Sequence, residues 1–258
     1  MDKTHNSLLA IDLGNSSTSY GVFRGRRLLR NGYVPDGNIP KLVRLLAKSG
    51  GLSSTSSVIV SSVVPYLTVK LKKALFKILG EKRVFILGRN LKVSLPSKYD
   101  RKTLGMDRLV NVYGAIRRYR LPVLVIDFGT AITFDYVSKR GIFEGGLIVP
   151  GPRLAARALE EHTALLPKLT KIKPVRTLLG RNTKTAMYSG LLNGLGALSD
   201  GLVERCRKQY GPKLTVVATG GFATRIAPYA RLFDYVDPLH TVKSLALIYE
   251  NEVRKKLT

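Results

Sequence analysis

The stretch Ile126-Asp127-Phe128-Gly129-Thr130-Ala131-Ile132-Thr133 repeats a pattern already present near the N-terminus, and no other feature of the chain restricts its fold as tightly. Ile11-Asp12-Leu13-Gly14 lies over Ile126-Asp127-Phe128-Gly129, Thr18 over Thr133, and the basic turn Arg24-Gly25-Arg26-Arg27 over Ser138-Lys139-Arg140-Gly141, at a constant offset of 115 residues. Each copy is an apolar β-type run, Leu8 to Ile11 or Val123 to Ile126, that ends in Asp-X-Gly and passes through small hydroxyl or amide residues into a second strand. Duplication of a strand–turn–strand unit at this separation predicts two related domains, 1–119 and 120–258.

The residue types in the two turns suggest a chemistry. Glycine lets backbone approach a ligand closely, so the amides after Gly14 and Gly129 are free to point at phosphate oxygens, with Asn15, Ser16 and Thr130 adding side-chain donors. The carboxylates Asp12 and Asp127 at the strand ends are suited to holding a cation, directly or through water, between protein and phosphate. Two such turns facing each other would make a cleft for a nucleoside triphosphate. Asp-X-Gly is also an ordinary β-turn composition, and it is the duplication that favours the ligand.

Composition narrows the alternatives. No apolar run approaches the ~20 residues of a membrane span, and Met1 to Asn6 leads into the first strand without the charged-then-apolar pattern of an export signal, so a cytoplasmic protein is expected. With the single Cys206 an intrachain disulfide is excluded, and with only His5, His162 and His240 a structural zinc site is not expected. The 43 Lys and Arg against 17 Asp and Glu give a formal charge of +26, a field that favours anions. The basic residues are dispersed in short groups without an aromatic-interleaved arm, which favours a generally basic proteome or anionic substrates over specific nucleic-acid binding.

Along the chain, 39–48 has leucines at helical spacing behind Pro40 and is stopped by Gly50-Gly51; 57–64 reads as a buried strand, 67–79 as a Lys-decorated amphipathic helix and 83–87 as a strand. After a loop over 92–102, Gly105-Met106-Asp107-Arg108 opens a helix running to about Tyr119. In the second half, 143–152 is a third strand ending in a glycine-rich loop. A short helix at 154–159, a long helix at 183–210 with small residues Gly190, Gly194, Gly196 and Ala197, a strand at 214–218 and a last helix at 241–255 that closes the second domain complete an α/β architecture.

The marks Asp12-Leu13-Gly14-Asn15-Ser16, Ser61-Ser62-Val63-Val64-Pro65, Gly105-Met106-Asp107-Arg108, Asp127-Phe128-Gly129-Thr130-Ala131, Gly145-Gly146 with Pro150-Gly151, Gly180-Arg181-Asn182-Thr183 and Thr219-Gly220-Gly221 follow one another over almost the full length. Together they make the chain resemble type III pantothenate kinase, a member of the actin, Hsp70 and sugar-kinase superfamily. The resemblance implies two tandem RNase H-like (actin-like ATPase) domains with a nucleotide cleft between them, and ATP-dependent phosphorylation of pantothenate at the entry to coenzyme A synthesis.

By that resemblance Asp12, Leu13, Gly14, Asn15, Ser16, Ser17, Thr18 and Ser19 would bind ATP phosphates together with Thr130. Asp127 would hold a monovalent cation, K⁺ or NH₄⁺, beside the usual Mg²⁺. Gly105, Met106, Asp107, Arg108 and Thr183 would contact pantothenate, with Asp107 as proton acceptor, the Thr219-Gly220-Gly221 turn would be the adenosine-side motif, and the protein would be a homodimer. Tyr99 resembles the family's substrate-contacting tyrosine but lies six residues before Gly105, one closer than the family pattern, and Asp100-Arg101 follows it instead of the family's Asn-Pro pair. Thr183 is equally suited to capping the long helix, His162 reads as polar surface, and Cys206 as a buried small apolar residue. A non-catalytic basic accessory protein of the same family, or another phosphotransferase of the superfamily, is the competing reading.

Overall fold

A computed structural model of the chain describes residues 7–35, 37–48 and 55–256. It divides into two compact units, one comprising the chain up to Leu95, Asp100–Arg117 and the chain from His240 onward, the other Pro96–Tyr99 and Arg118–Leu239. The expected Gly50-Gly51 helix stop lies outside the described residues.

In the first unit β1 (Ser7–Leu13), β2 (Ser17–Arg24), β3 (Arg27–Pro35), β4 (Thr55–Ser62) and β5 (Val84–Ile86) form a sheet in the order β3-β2-β1-β4-β5. The hairpin strands are antiparallel, and β1, β4 and β5 run parallel. The third strand, β3, follows the basic turn and extends the expected two-stranded hairpin. β1 is buried on both faces, which is why it reads as a continuous apolar run. Leu9, Ile11 and Leu13 pack with Val58 and Val60 against Leu42 and Leu46 of α1 (Ile39–Lys48) and Leu67, Leu71 and Leu75 of α2 (Pro65–Leu79). The backbone of Lys41 donates to Asn38 Oδ1 at 2.9 Å, opening α1, and Pro65 takes the first turn of α2, where its missing N–H costs nothing. α3 (Met106–Arg118) completes this part of the unit.

The second unit repeats the plan. β6 (Val123–Phe128), β7 (Ala131–Val137), β8 (Phe143–Pro150), β9 (Thr215–Thr219) and β10 (Tyr235–Val236) lie in the order β8-β7-β6-β9-β10, matching the first sheet strand for strand, with the same antiparallel and parallel pairs. α4 (Pro152–Glu161), α5 (Thr183–Tyr210) and the short α6 (Ala223–Ile226) supply helices. The core gathers Leu124, Ile126, Phe128 and Phe134 with Leu191 and Leu192 of α5.

Three expectations are corrected. The offset of 115 holds for β1 and β6 but not across the turns. Asp12 pairs with Ser19 and Asp127 with Thr133, so the first turn is one residue longer and Ser19, not Thr18, is the counterpart of Thr133. The hairpin hydrogen bonds agree: Gly14 N–H reaches the Ser17 carbonyl at 3.0 Å, while Gly129 N–H reaches Ala131 at 3.2 Å.

The last helix does not close the second unit. α7 (His240–Ile248) packs on β1 of the first, burying Val242, Leu245 and Ile248. Its polar seam meets α3: His240 Nε2 lies 2.9 Å from the Asn111 carbonyl, and the Thr241 hydroxyl donates to Asn111 Oδ1 at 2.8 Å. Gly114 permits this approach, since a Cβ there would fall 1.8 Å from Ser244 Oγ. Finally, within the expected loop 92–102, Pro96–Tyr99 attaches to the second unit. Phe143 N–H donates to the Pro96 carbonyl and Lys98 N–H to the Phe143 carbonyl, both at 2.9 Å. Among the described residues no helix is long and apolar enough to cross a membrane.

Candidate active site

In the first turn Leu13 and Thr18 are fully buried in the sheet, Asp12, Ser16, Ser17 and Ser19 are half-buried, and Asn15 is exposed. Leu13 therefore has only backbone to offer a ligand. Asp12 pairs laterally with Ser19 on β2 and with Ser61 on β4. Register partners share a face of a sheet, so the carboxylate stands between two hydroxyls. The Ser61 and Thr18 side-chain oxygens are buried and make no hydrogen bond.

The second turn has the same construction. Asp127 pairs with Thr133 on β7 and Thr219 on β9, and Thr219 Oγ1 is buried and makes no hydrogen bond. Two glycines press against this turn. Gly151 N–H donates to the Thr130 carbonyl at 3.0 Å, and a Cβ on Gly151 would fall 2.3 Å from the Gly129 carbonyl. The Pro150-Gly151 loop thus braces the second turn. Gly220, at φ +90, holds the backbone beyond Thr219 so close that a Cβ there would lie 2.2 Å from Asp127 Oδ1.

One carboxylate flanked by neutral hydroxyls is a hard, weakly charged oxygen set, and it suits a monovalent cation. Among the described residues no group of three or more His, Cys, Asp and Glu side chains is assembled, so no all-protein cage of the kind a polyvalent ion takes is built here. The buried, unsatisfied Thr219 hydroxyl beside Asp127 fits a group supplied from outside the chain.

At the start of α3, Leu109 N–H bonds the Gly105 carbonyl at 3.1 Å, and the Asp107 carboxylate curls back to accept from Arg108 N–H at 2.8 Å. A Cβ at Gly105 would sit 2.5 Å from Asp107 Oδ1, so the glycine makes room for the carboxylate. An acidic group over the first turn complements the positive end of the helix dipole. Arg108 is buried at 5% exposure. Tyr113, about two helical turns further along α3, donates to Glu252 at 2.9 Å and carries the Arg117 guanidinium 3.5 Å above its ring; burial pushes its phenol up.

Behind the same helix start lies a cavity of about 320 Å³ lined by Leu87, Gly88, Lys92, Ser94, Arg101 and Met106 among others. In the sequence Lys92 and Arg101 are loop residues, and nothing in their spacing ties them to Met106.

The structure thus brings Gly105, Met106, Asp107 and Arg108 together at one helix start, and Asp12 to Ser19 together with Ser61. Tyr99 belongs to the second unit, stacked on Phe143 with ring centroids 5.4 Å apart. Thr183, also in the second unit, is exposed at the first position of α5. The cap of that helix is Asn182, which accepts from Thr185 N–H at 3.0 Å while Thr185 Oγ1 accepts from Asn182 N–H at 3.2 Å, so the capping role considered for Thr183 falls to its neighbour. His162 is exposed surface, and Cys206 is half-buried with its thiol pushed up by burial.

Comparison with known proteins adds the family. The model for type III pantothenate kinase matches residues 8–205. A type III pantothenate kinase from Myxococcus xanthus is 38% identical over 251 residues, covering 94% of this chain and 97% of its own length. Another, from Brevibacillus brevis, is 38% identical over 252 residues, covering 94% and 98%. Among solved structures, a conserved Campylobacter jejuni protein described as a Baf family transcriptional activator superposes with a TM-score of 0.60 at 21% identity, covering 94% of this chain and 97% of its own. The activator of 2-hydroxyisocaproyl-CoA dehydratase from Clostridium difficile, solved with ADPNP, superposes at 0.57 with 13% identity, covering 97% of each. These two likenesses speak to the fold, that of the actin-like ATPases.

Proposed function

Because the chain belongs to the type III pantothenate kinase family, we propose that it transfers the γ-phosphoryl group of ATP to the primary alcohol of pantothenate, giving 4'-phosphopantothenate in the first step of coenzyme A biosynthesis. The observation that carries the assignment of roles is the Asp107 carboxylate at the start of α3, which accepts the Arg108 backbone N–H and for which Gly105 leaves room. Phosphoryl transfer asks the protein mainly to position and to neutralise charge. Asp107 orients the acceptor hydroxyl and takes its proton as the new P–O bond forms, and Arg108 anchors the pantothenate carboxylate.

The run Asp12 to Ser19 and Thr130 hold the triphosphate through backbone N–H groups and hydroxyls, and the chain's +26 charge favours an anionic substrate over a long range. Asp127, with the hydroxyls beside it, would hold K⁺ or NH₄⁺, and Asp12 would serve the phosphate side together with the Mg²⁺ that accompanies ATP; the chemistry such ions would supply is neutralisation of the negative charge on the phosphates. Thr183 and Tyr99 are assigned to pantothenate on the family pattern alone.

A homodimer is supported by the outer face of α5. A Cβ added at Gly190, Gly194 or Gly201 would meet nothing within 4 Å, and Leu178 and Leu179 before the helix are 70% and 80% exposed. Among the glycines of this helix, Gly196 serves internal packing, against the Tyr229 carbonyl. The other glycines leave a smooth surface on which a second copy can lie closely. The soluble substrates suit a cytoplasmic location.

The test is an ATP-dependent assay with pantothenate, hexose sugars and polyphosphate offered in parallel. Phosphorylation of pantothenate alone is expected. Turnover of a sugar in its place would favour another superfamily phosphotransferase, and inactivity with every acceptor would favour the accessory reading.

A further inference from the structure

The two sheets repeat one arrangement that the duplicated motifs do not reveal. On each central strand the motif carboxylate has a hydroxyl residue as its lateral partner on both sides: Ser19 and Ser61 beside Asp12, Thr133 and Thr219 beside Asp127. In both copies the hydroxyl on the parallel strand, Ser61 or Thr219, is fully buried and makes no hydrogen bond. A buried hydroxyl left unsatisfied is destabilising, and two at equivalent positions of two sheets are not a packing accident.

In the second copy further geometry singles out the ligand. Gly220 is pressed against Asp127 Oδ1, so the carboxylate leans toward the strand end that carries Thr219. On the other side, Thr133 Oγ1 donates to Asp135 Oδ2 at 3.2 Å, which leaves its lone pairs free to accept. The donor set around Asp127 is one negative charge plus two neutral hydroxyl oxygens. That is neutral overall with a monovalent cation and underscreened with a divalent one.

Resting on the cation reading of Asp127, we propose that Thr219 is a further cation-binding residue of the same site. Its hydroxyl oxygen holds the monovalent ion or the ion's bound water, and discrimination between monovalent ions depends on it. The first copy leaves Ser61 in the equivalent place beside Asp12.

Thr219→Val removes the hydroxyl at nearly constant shape in a strand that accepts valine, and Thr219→Ser restores it. Wild type, both variants and Asp127→Asn are compared in choline chloride with MgADP, titrated with KCl, reading the thermal midpoint and, separately, the K⁺ midpoint for pantothenate phosphorylation. In choline, Thr219→Val is expected to melt at or above wild type, because an unsatisfied hydroxyl has gone. Its response to K⁺ in both readouts is expected to move to about 10- to 100-fold higher concentration, with Thr219→Ser close to wild type. If Thr219→Val titrates like wild type while Asp127→Asn does not, the cation site stands without Thr219 and the proposal is overturned. It is overturned equally if Thr219→Val is destabilised to the same extent in choline and in KCl, which would give the hydroxyl a structural bond only. If wild type itself shows no K⁺ response in either readout, the cation reading of Asp127 fails and the role of Thr219 fails with it.

Discussion

Replacing Gly220 with alanine drives a methyl group into the second turn. The residue sits at φ +90, where an L side chain is strained by about 1–3 kcal/mol. The new Cβ would lie 2.2 Å from Asp127 Oδ1, 2.7 Å from Phe128 N and 2.8 Å from Phe128 C. Phe128 belongs to the central strand β6, paired on one side with β7 and flanked on the other by β9, so its backbone cannot give way. Relief must come from the Asp127 carboxylate and the turn itself, at a further cost of about 1–3 kcal/mol. Together these amount to roughly 2–6 kcal/mol, and at ~2–4 °C per kcal/mol for a chain of this size the midpoint falls by about 4–24 °C. The neighbouring Gly221 is the internal control, since a Cβ there meets nothing within 4 Å. Gly221→Ala should stay within about 0.5 kcal/mol of wild type. Calorimetry of the two variants side by side measures the difference. Gly220→Ala should also lose K⁺ activation in whatever fraction remains folded, because the displaced group is the Asp127 carboxylate. Two variants melting within about 2 °C of each other would refute the argument.

Asp107→Asn keeps the size of the side chain and an oxygen for the Arg108 amide, so fold and ATP binding should survive while kcat falls by roughly 10² to 10⁴, measured by coupled ADP release. Near-normal turnover would remove Asp107 as the base. Arg108→Ala should act mainly through KM for pantothenate, and a change confined to kcat would place the guanidinium elsewhere. Gly194→Glu faces open space within one chain, so a fall from dimer to monomer by light scattering with unchanged circular dichroism would report a partner on the outer face of α5; an unchanged dimer would exclude that face. Burial raises the Cys206 thiol, so at pH 8 a smaller thiolate fraction is present in the folded chain than after unfolding. Iodoacetamide labelling followed by mass spectrometry should accordingly be slower in native buffer than in guanidinium chloride.

Local chemistry was legible in the sequence where the determinants were local. The buried run of β1, the leucines of α1 at helical spacing, and the 28 residues of α5 from Thr183 to Tyr210 follow from periodicity and punctuation. The Gly105 to Arg108 cluster lies within one helical turn, so its members had to end up together. The duplication of Asp-X-Gly turns announced two related sheets, and their matching strand orders answer to it.

What depended on contacts distant in sequence was not legible. The amphipathic pattern of α7 demands an apolar surface without naming one, and only tertiary packing sent it to β1 and α3 by way of Gly114 and the Asn111 bonds. A turn longer by one residue leaves the motif intact but changes which hydroxyl faces the carboxylate, so Ser19 rather than Thr18 corresponds to Thr133. Ser61 and Thr219 look like ordinary strand-end residues in a one-dimensional reading. They become candidate ligands only when parallel pairing sets them beside Asp12 and Asp127, because lateral register is a property of the assembled sheet and not of any single strand.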